Sequence, residues 1–339
     1  MREINITGGG LAGLALARLL RRESLAVTVV EAGAYPRHRV CGEFINGLSE
    51  GEIDALELKG VVAGQPRHRE TVWYCGDRLA GRRELPTPAI GISRWKLDAD
   101  MAADLVARGG VLKCGERGAV DAAAEGHVLT CGRRRGPARW LGLKAHYTDL
   151  QMFCGLEMHL GNGGYAGLTA VEGGRVNVCA LLPAAAAARV GAASALPAAL
   201  RRVGLDALAR RLENAQVDDA SVTGISHLSL GWDRTGSGGS LTLGDRAAVI
   251  PPFTGNGMSM AMQSALCAAP FLTAWAFGEM PWPDVVRRTR EAIRRRFARR
   301  MSLAPKVQPF LIAPGLRRLS PLLLRSGVLP FEWLFHRLR

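Results

Sequence analysis

The chain has 339 residues, 48 % of them apolar, and its 44 Lys and Arg outweigh 30 Asp and Glu to give a formal net charge of +14. The apolar content excludes a disordered chain, and the length suits two interleaved lobes better than one core. The charge is carried mainly by arginines in Ala- and Gly-rich surroundings with no nucleic-acid-binding signature, no run of about 18 uncharged apolar residues is present to span a membrane, and seven scattered cysteines without a CxxC pair support neither a zinc knuckle nor a disulfide framework.

The chain is therefore expected to be cytoplasmic, with reduced thiols, no metal and no nucleic-acid partner. The first element reads "REINITGGGLAGLALARLLRRESLAVTVVEAG". Ile4 and Ile6 alternate with polar residues as in a strand. Gly8, Gly10 and Gly13 form GxGxxG, with Leu11 and Ala12 opening a helix whose apolar face carries Leu14, Leu16, Ala17 and Leu20. This apolar patch is broken by Arg18, followed by Arg21 and Arg22, and lacks a cleavage site, so it does not read as a secretory signal. A β-branched run, Leu25–Val30, ends in Glu31, 18 residues after Gly13. In such a unit the first glycine makes a tight turn, the second lets a pyrophosphate approach the backbone, and the third lets helix and strand pack closely. The helix N-terminus offers N–H groups and a partial positive charge to the phosphates. An acid at the end of the second strand can accept from an adenosine ribose, which suits NAD or FAD rather than NADP.

Next comes "PRHRVCGEFI" (Pro36–Ile45), and then "GISRWKLDADMAADLVARGG" (Gly91–Gly110), where Leu97, Met101 and Leu105 recur every fourth residue before Gly109-Gly110 ends a helix. Short alternating segments follow: "WLGLKAHY", "FCGLEMHL", "GGYAGLTAV" and "RVNVCALL". They read as strands of one antiparallel sheet. Lys144 and His146 share one face of their strand, and Glu157 and His159 share one face of theirs. Each pair lines either a polar pocket or the solvent face of a half-buried sheet. Met152, Leu156 and Met158 supply the apolar side. An Ala- and Arg-rich helical stretch lies between Pro183 and Leu212. Near the end, "GDRAAVIPPFTGNGMSMAMQSA" (Gly244–Ala265) closes an apolar strand with Gly-Asp, and a turn with few side chains leads into a helix of small residues. From Trp282 the chain reads as a basic helix with Val285, Ile293 and Phe297 as its apolar stripe. This tail either packs on the N-terminal lobe or forms an interfacial patch at a membrane surface.

Taken together, Gly8–Gly13, Glu31 and the Gly244–Ala265 segment resemble the FAD-binding fold of the aromatic hydroxylase and geranylgeranyl reductase superfamily. That resemblance implies an α/β fold: a Rossmann-like FAD lobe (1–60, 92–135 and 236–280), an inserted antiparallel β-sheet substrate lobe (61–91 and 136–235) and a helical tail (281–339). It puts Asp245 on the ribityl chain and Pro252, Gly255, Asn256, Gly257 and Met258 beside the flavin pyrimidine ring. There, the positive end of a helix would stabilise the reduced flavin's charge. The Pro36–Ile45 segment resembles the Cys-Gly-Glu loop of the reductases and places Arg39, Cys41 and Gly42 beside the flavin. Arg94 stands where the superfamily has a cofactor-reaching arginine. Two departures stand out. Cys131-Gly132 replaces an expected Asp-Gly, and Gly167 and Thr169 follow Tyr165 where the prenyl reductases carry bulkier residues.

The function implied is an FAD-dependent monooxygenase. NADH or NADPH would reduce the flavin transiently, and a flavin C4a-hydroperoxide would hydroxylate an electron-rich aromatic or polyketide-derived small molecule. Lys144, His146, Glu157 and His159 are the candidates for holding or deprotonating a phenol, and Cys41 is an active-site candidate. A flavin ene-reductase and a non-catalytic flavin-binding maturation partner are the alternatives.

Overall fold

A computed structural model of the chain describes residues 1–118, 124–137, 139–187, 192–233 and 239–313. The tail beyond residue 313 lies outside the described residues.

One five-stranded sheet is parallel throughout, in the order Leu241–Thr242, His127–Leu129, Ile4–Thr7, Val27–Glu31, Val111–Cys114. Ile4, Ile6, Val27 and Val29 are buried on it, as β-branched residues covered by helices should be. The helix Leu11–Arg22 packs against both Arg94–Ala107 and Gly257–Ala276. Its whole Leu11–Leu20 segment is buried, Arg18 included. That arginine is satisfied by the Leu56 and Glu57 carbonyls and by Asp104 at 2.5 Å.

The second sheet has eight strands, in the order Gln216–Ser226, Trp140–Thr148, Val176–Pro183, Tyr165–Ala170, Leu156–Leu160, Arg67–Cys75, Arg78–Gly91, Phe44–Ile45. The four strands read from the sequence as an antiparallel set are antiparallel to one another. The sheet as a whole is mixed, which corrects the expectation of an all-antiparallel lobe: Leu156–Leu160 runs parallel to Arg67–Cys75. The physical reason is the excursion between them. The chain leaves after Gly91, supplies a helix and two strands to the parallel sheet, and returns in the same direction it left, as a parallel crossover does. The short strand Phe44–Ile45, from the N-terminal segment, forms the far edge of this sheet by pairing with Ile90 and Gly91.

Pairing fixes which side chains share a face. One face carries the rows Lys144–Cys179–Gly167–Met158 and His146–Asn177–Thr169–Leu156. The other carries Ala145, Val178 and Leu168 and is covered by the helices Ala192–Arg202 and Asp206–Glu213, through Leu196, Leu200, Leu208 and Leu212.

A helix of 31 residues, Trp282–Ile312, follows Gly257–Ala276 and packs along it. Val285, Ile293, Phe297, Met301 and Ala304 are buried under it. Its last residue reaches the β-lobe, where the Gly163 N–H donates to the Ile312 carbonyl at 2.9 Å.

Candidate functional site

Three glycine-bearing turns meet at the carboxyl end of the parallel sheet. Gly8 has φ +110°, and a Cβ there would lie 2.6 Å from the Thr130–Cys131 backbone. A Cβ on Gly13 would lie 2.1 Å from the Gly8 carbonyl oxygen. Gly10 differs: nothing stands within 4 Å of where its Cβ would be, and the same holds for Gly257. Leu11 and Ala12 point into the core, so only their backbone faces the turn. The late Gly-Asp is seated directly on the first helix, since a Cβ on Gly244 would lie 2.8 Å from the Ala12 Cβ. Beside it Asp245 is exposed. The surrounding protein raises its carboxyl above the ordinary range, while Arg94, Arg133 and Arg39 oppose that rise.

The turn Pro252–Thr254 ends at Gly255, with φ +66°, where a Cβ would lie 2.3 Å from the Phe44 ring. Asn256 is buried and holds the turn through Nδ2 to the Thr254 carbonyl at 3.1 Å. Tyr165 accepts the Phe253 N–H at 3.0 Å and so ties this turn to the β-lobe. Pro252 and Gly257 are exposed and Met258 is buried. The helices starting at Leu11 and at Gly257 share one property: neither has a side-chain cap nor an acid in its first turn. Their first N–H groups are left to a ligand or solvent.

Glu31 is only 5 % exposed. It accepts from the Gly9 N–H at 2.7 Å, the Gly33 N–H at 3.0 Å and Arg37 at 2.5 Å, and Arg39 lies 3.5 Å away. Burial alone would raise its pKa, but these donors together hold it below the usual carboxylate value. Arg39 and Arg94 converge on Asp98, which is fully buried. Arg94 grips it with two hydrogen bonds of 2.7 Å, and Arg39 adds one of 3.1 Å. Asp98 escaped the sequence reading, although its place four residues after Arg94 on one helix puts the two on the same face.

The loop Cys41–Glu43 is fastened to the β-lobe at every residue. Asn177 donates to the Cys41 carbonyl at 2.9 Å and Thr169 to the Gly42 carbonyl at 2.8 Å. The Glu43 carboxylate is fully buried and accepts from His146 Nε2 at 2.5 Å and the Arg94 N–H at 3.1 Å, with Lys144 Nζ at 3.3 Å. Glu43 takes φ +58°, uncommon for a residue with a side chain. Burial would raise its pKa, yet His146 and Lys144 hold it below the ordinary value. His146 Nδ1, on the other side of the ring, is buried with no protein hydrogen bond. Lys144 also donates to His38 Nδ1 at 3.0 Å, and burial together with Lys144 pushes His38 down to about 4, so that imidazole is neutral. His38, His146 and Asp218 bring one nitrogen or oxygen each to within 4.8 Å of one another. The Lys144 ammonium beside them opposes a cation and suits a proton-transfer network. Cys41 is half-buried, its thiol accepts from the Glu43 N–H at 3.4 Å, and burial pushes its pKa up.

Glu157 and His159 do not join this group, which corrects the idea of one pocket lined by all four polar side chains. They are buried, but on the opposite face, in the rows of Leu168 and Ala166. There Glu157 accepts from Arg211 at 2.9 Å, His159 at 3.0 Å and the Phe153 N–H at 2.7 Å. Burial would raise this carboxyl, but His159, Arg211 and the Phe153 N–H hold it at about 2. His159 stacks on Tyr74 with ring centroids 4.6 Å apart. This second network fastens the helix Asp206–Glu213 to the sheet. The centre of this buried network that the sequence reading left out of the candidate residues is Glu43; its only local signal is its place in the Cys-Gly-Glu motif.

Residues 6–41 match the family of NAD(P)-binding Rossmann-like domains. No curated protein sequence matches the chain. Among solved structures, p-nitrophenol 4-monooxygenase PnpA from Pseudomonas putida is similar with a TM-score of 0.73 at 15 % identity, covering 99 % of each chain. Klebsiella pneumoniae HpxO, in a complex with FAD and uric acid, has a TM-score of 0.73 at 16 % identity, over 99 % of this chain and 96 % of that one. Pseudomonas aeruginosa PqsL, in a complex with 2-aminobenzoylacetate, has a TM-score of 0.68 at 17 % identity, over 91 % and 95 %. The chain thus shares the overall fold of these structures.

Proposed function

We propose that the chain is an FAD-dependent monooxygenase that hydroxylates an electron-rich aromatic or polyketide-derived small molecule, with NADH or NADPH as transient reductant. The observation that carries this is the pair of open glycine positions. Gly10 and Gly257 have clear space where a side chain would point, each at the uncapped start of a helix, whereas Gly8, Gly13, Gly244 and Gly255 are needed for backbone packing. Open space at two partially positive helix ends, with the exposed Asp245 carboxylate beside the first, fits an extended dinucleotide: anionic phosphates at Gly10, a hydroxylated chain at Asp245 and a flat ring at Gly257. FAD held there would supply the redox chemistry, with two electrons from the nicotinamide and dioxygen giving one hydroxyl oxygen to the ring and one water.

The chain's own residues then orient the substrate, exclude water and move a proton. In this reading His146, oriented by Glu43, is the proton acceptor for an acidic hydroxyl, and Lys144 balances the charge. The likeness to PnpA supports a phenol-type substrate. Cys41, with its thiol kept protonated, has no nucleophilic role. The cytoplasm fits seven free cysteines. Among the described residues no helix is long and apolar enough to cross a membrane.

The test is to purify the protein, identify the released cofactor by chromatography, and incubate it with NADPH, labelled dioxygen and a panel of phenols. One labelled oxygen atom in the product is expected. FMN or no flavin after reconstitution, or saturation of a carbon–carbon double bond in place of oxygen transfer, would overturn the reading.

A further inference from the structure

The base assigned to His146 has no contact with bulk water. Its side chain is 0 % exposed, and so are those of Glu43 and Lys144 beside it. A proton taken from a substrate hydroxyl therefore cannot pass from this imidazole straight to solvent, and the next cannot be taken until it has left. His146 Nδ1 has no protein hydrogen bond, so the side-chain contact that leads onward is the one at Nε2. From there the contacts run in series. Nε2 meets one Glu43 carboxylate oxygen at 2.5 Å, the other oxygen meets Lys144 Nζ at 3.3 Å, and Nζ meets His38 Nδ1 at 3.0 Å. The order of contacts is also an order of exposure: the first three residues are buried, and His38, the last, is half-buried.

His38 is held in place at this end. Its ring stacks on Trp95 with centroids 4.5 Å apart and meets the His146 ring edge-on at 5.1 Å. The Asp218 carboxylate, from the strand Gln216–Ser226, lies within 4.8 Å of a nitrogen of each histidine. Its negative charge lowers the cost of a passing imidazolium. With Nδ1 taken by Lys144, Nε2 of His38 is left for water.

We propose that His38 is the solvent end of a proton relay that empties His146 through Glu43 and Lys144. The relay rests on the reading of His146 as the acceptor of a substrate hydroxyl proton. His146 takes one proton from the hydroxyl and gives one to the Glu43 carboxylate. Lys144 gives one to His38 Nδ1 and is refilled from the Glu43 carboxyl, and His38 gives one from Nε2 to water. Every N–H or O–H bond broken is matched by one formed. No electron moves, and the net change is one proton carried from substrate to solvent. Burial lowers the Lys144 pKa against the pull of Glu43, which eases the hand-over, and His38, at about 4, holds the proton only in passing.

The experiment uses the FAD-loaded protein with oxidised flavin and p-nitrophenol, whose phenolate absorbance reports ionisation without turnover. A stopped-flow jump to higher pH follows the bound phenol as it loses its proton. His38→Gln keeps an acceptor for Lys144 but cannot carry a proton through, and His38→Ala leaves room for a free imidazole. Both are expected to slow the ionisation by about a hundredfold, with FAD content and p-nitrophenol affinity unchanged. Added imidazole is expected to restore the rate of His38→Ala in proportion to its concentration and to leave the wild type as it was, which a merely structural role of His38 would not produce. An unchanged rate in both variants, or a fall in His38→Ala that imidazole leaves in place, would overturn the relay while leaving His146 as the base. Failure of p-nitrophenol to bind, or of His146→Ala to alter its ionisation, would overturn the phenol reading and the relay with it.

Discussion

The carboxylate of Glu43 accepts from Nε2 of His146 at 2.5 Å across a sequence separation of 103 residues. That one bond joins the loop after the second parallel strand to the seventh position of the strand Trp140–Thr148 in the other sheet. The same carboxylate also holds Lys144 and the first amide of the Arg94–Ala107 helix. Glu43→Ala would leave a buried ammonium without its partner, and breaking such a pair costs about 3–5 kcal/mol. Glu43→Gln keeps the shape and is expected to cost less. Chemical denaturation measures both, and a cost below about 1 kcal/mol for Glu43→Ala would show that the network carries no stability.

The pH dependence follows from the direction of the shifts. The folded-state pKa of Glu43 lies below its ordinary value of 4.5, and that of Glu157 lies at about 2. A depressed carboxylate stabilises the fold fully above the unfolded pKa and loses that contribution as pH falls through the folded one. The wild type is therefore expected to lose stability on acidification below pH 4.5, with Glu157 contributing down to about 2. Glu43→Gln should show a shallower loss in that window. Identical pH slopes for the two proteins would contradict the linkage.

The glycines separate packing from ligand approach. Gly10→Val adds a side chain with nothing within 4 Å of its Cβ, at φ −84°, a conformation valine adopts freely. It is expected to fold normally and lose FAD. Gly13→Ala drives a methyl to 2.1 Å from the Gly8 oxygen and is expected to disturb the fold itself. Thermal melting and flavin absorbance, read on both variants, decide the matter. Full flavin occupancy in Gly10→Val would remove the phosphate path from that turn.

Removing the Asp98 charge by Asp98→Asn is expected to destabilise by about 3–5 kcal/mol, because Arg94 and Arg39 both lean on it. Asp245→Ala, by contrast, removes an exposed carboxylate and is expected to lower flavin retention with the melting temperature of the flavin-free protein unchanged. A fall in that melting temperature would make Asp245 structural.

Cys41→Ser is expected to keep most of the hydroxylation rate, since a protonated, half-buried thiol does no step in the reading proposed. A loss beyond about a hundredfold, the scale of a removed acid–base group, would assign the thiol to proton transfer. Exposed Cys131 should react with a thiol reagent well before Cys41.

The glycine turns were legible in the sequence because their requirements are local. A tight strand–helix turn needs glycine at fixed offsets whatever the rest of the chain does. The polar pairs were only half legible. Alternation along a strand ties Lys144 to His146 and Glu157 to His159, but does not relate one strand to another. The register did that, setting Met158 rather than Glu157 in the Lys144 row, and a shift of one residue reverses the outcome. Glu43 stayed hidden for a related reason: both its side-chain partners lie more than a hundred residues on.

The order of the parallel sheet also sets a timetable for synthesis. The first strand, Ile4–Thr7, lies between a partner made soon after it and one at His127–Leu129, and the edge strand waits for Thr242. The apolar face of the first helix is closed by Gly257–Ala276. A chain leaving the ribosome therefore carries that leucine-rich face uncovered until more than three quarters of it has emerged, so the nascent chain needs a chaperone longer than a protein whose N-terminal unit closes by itself.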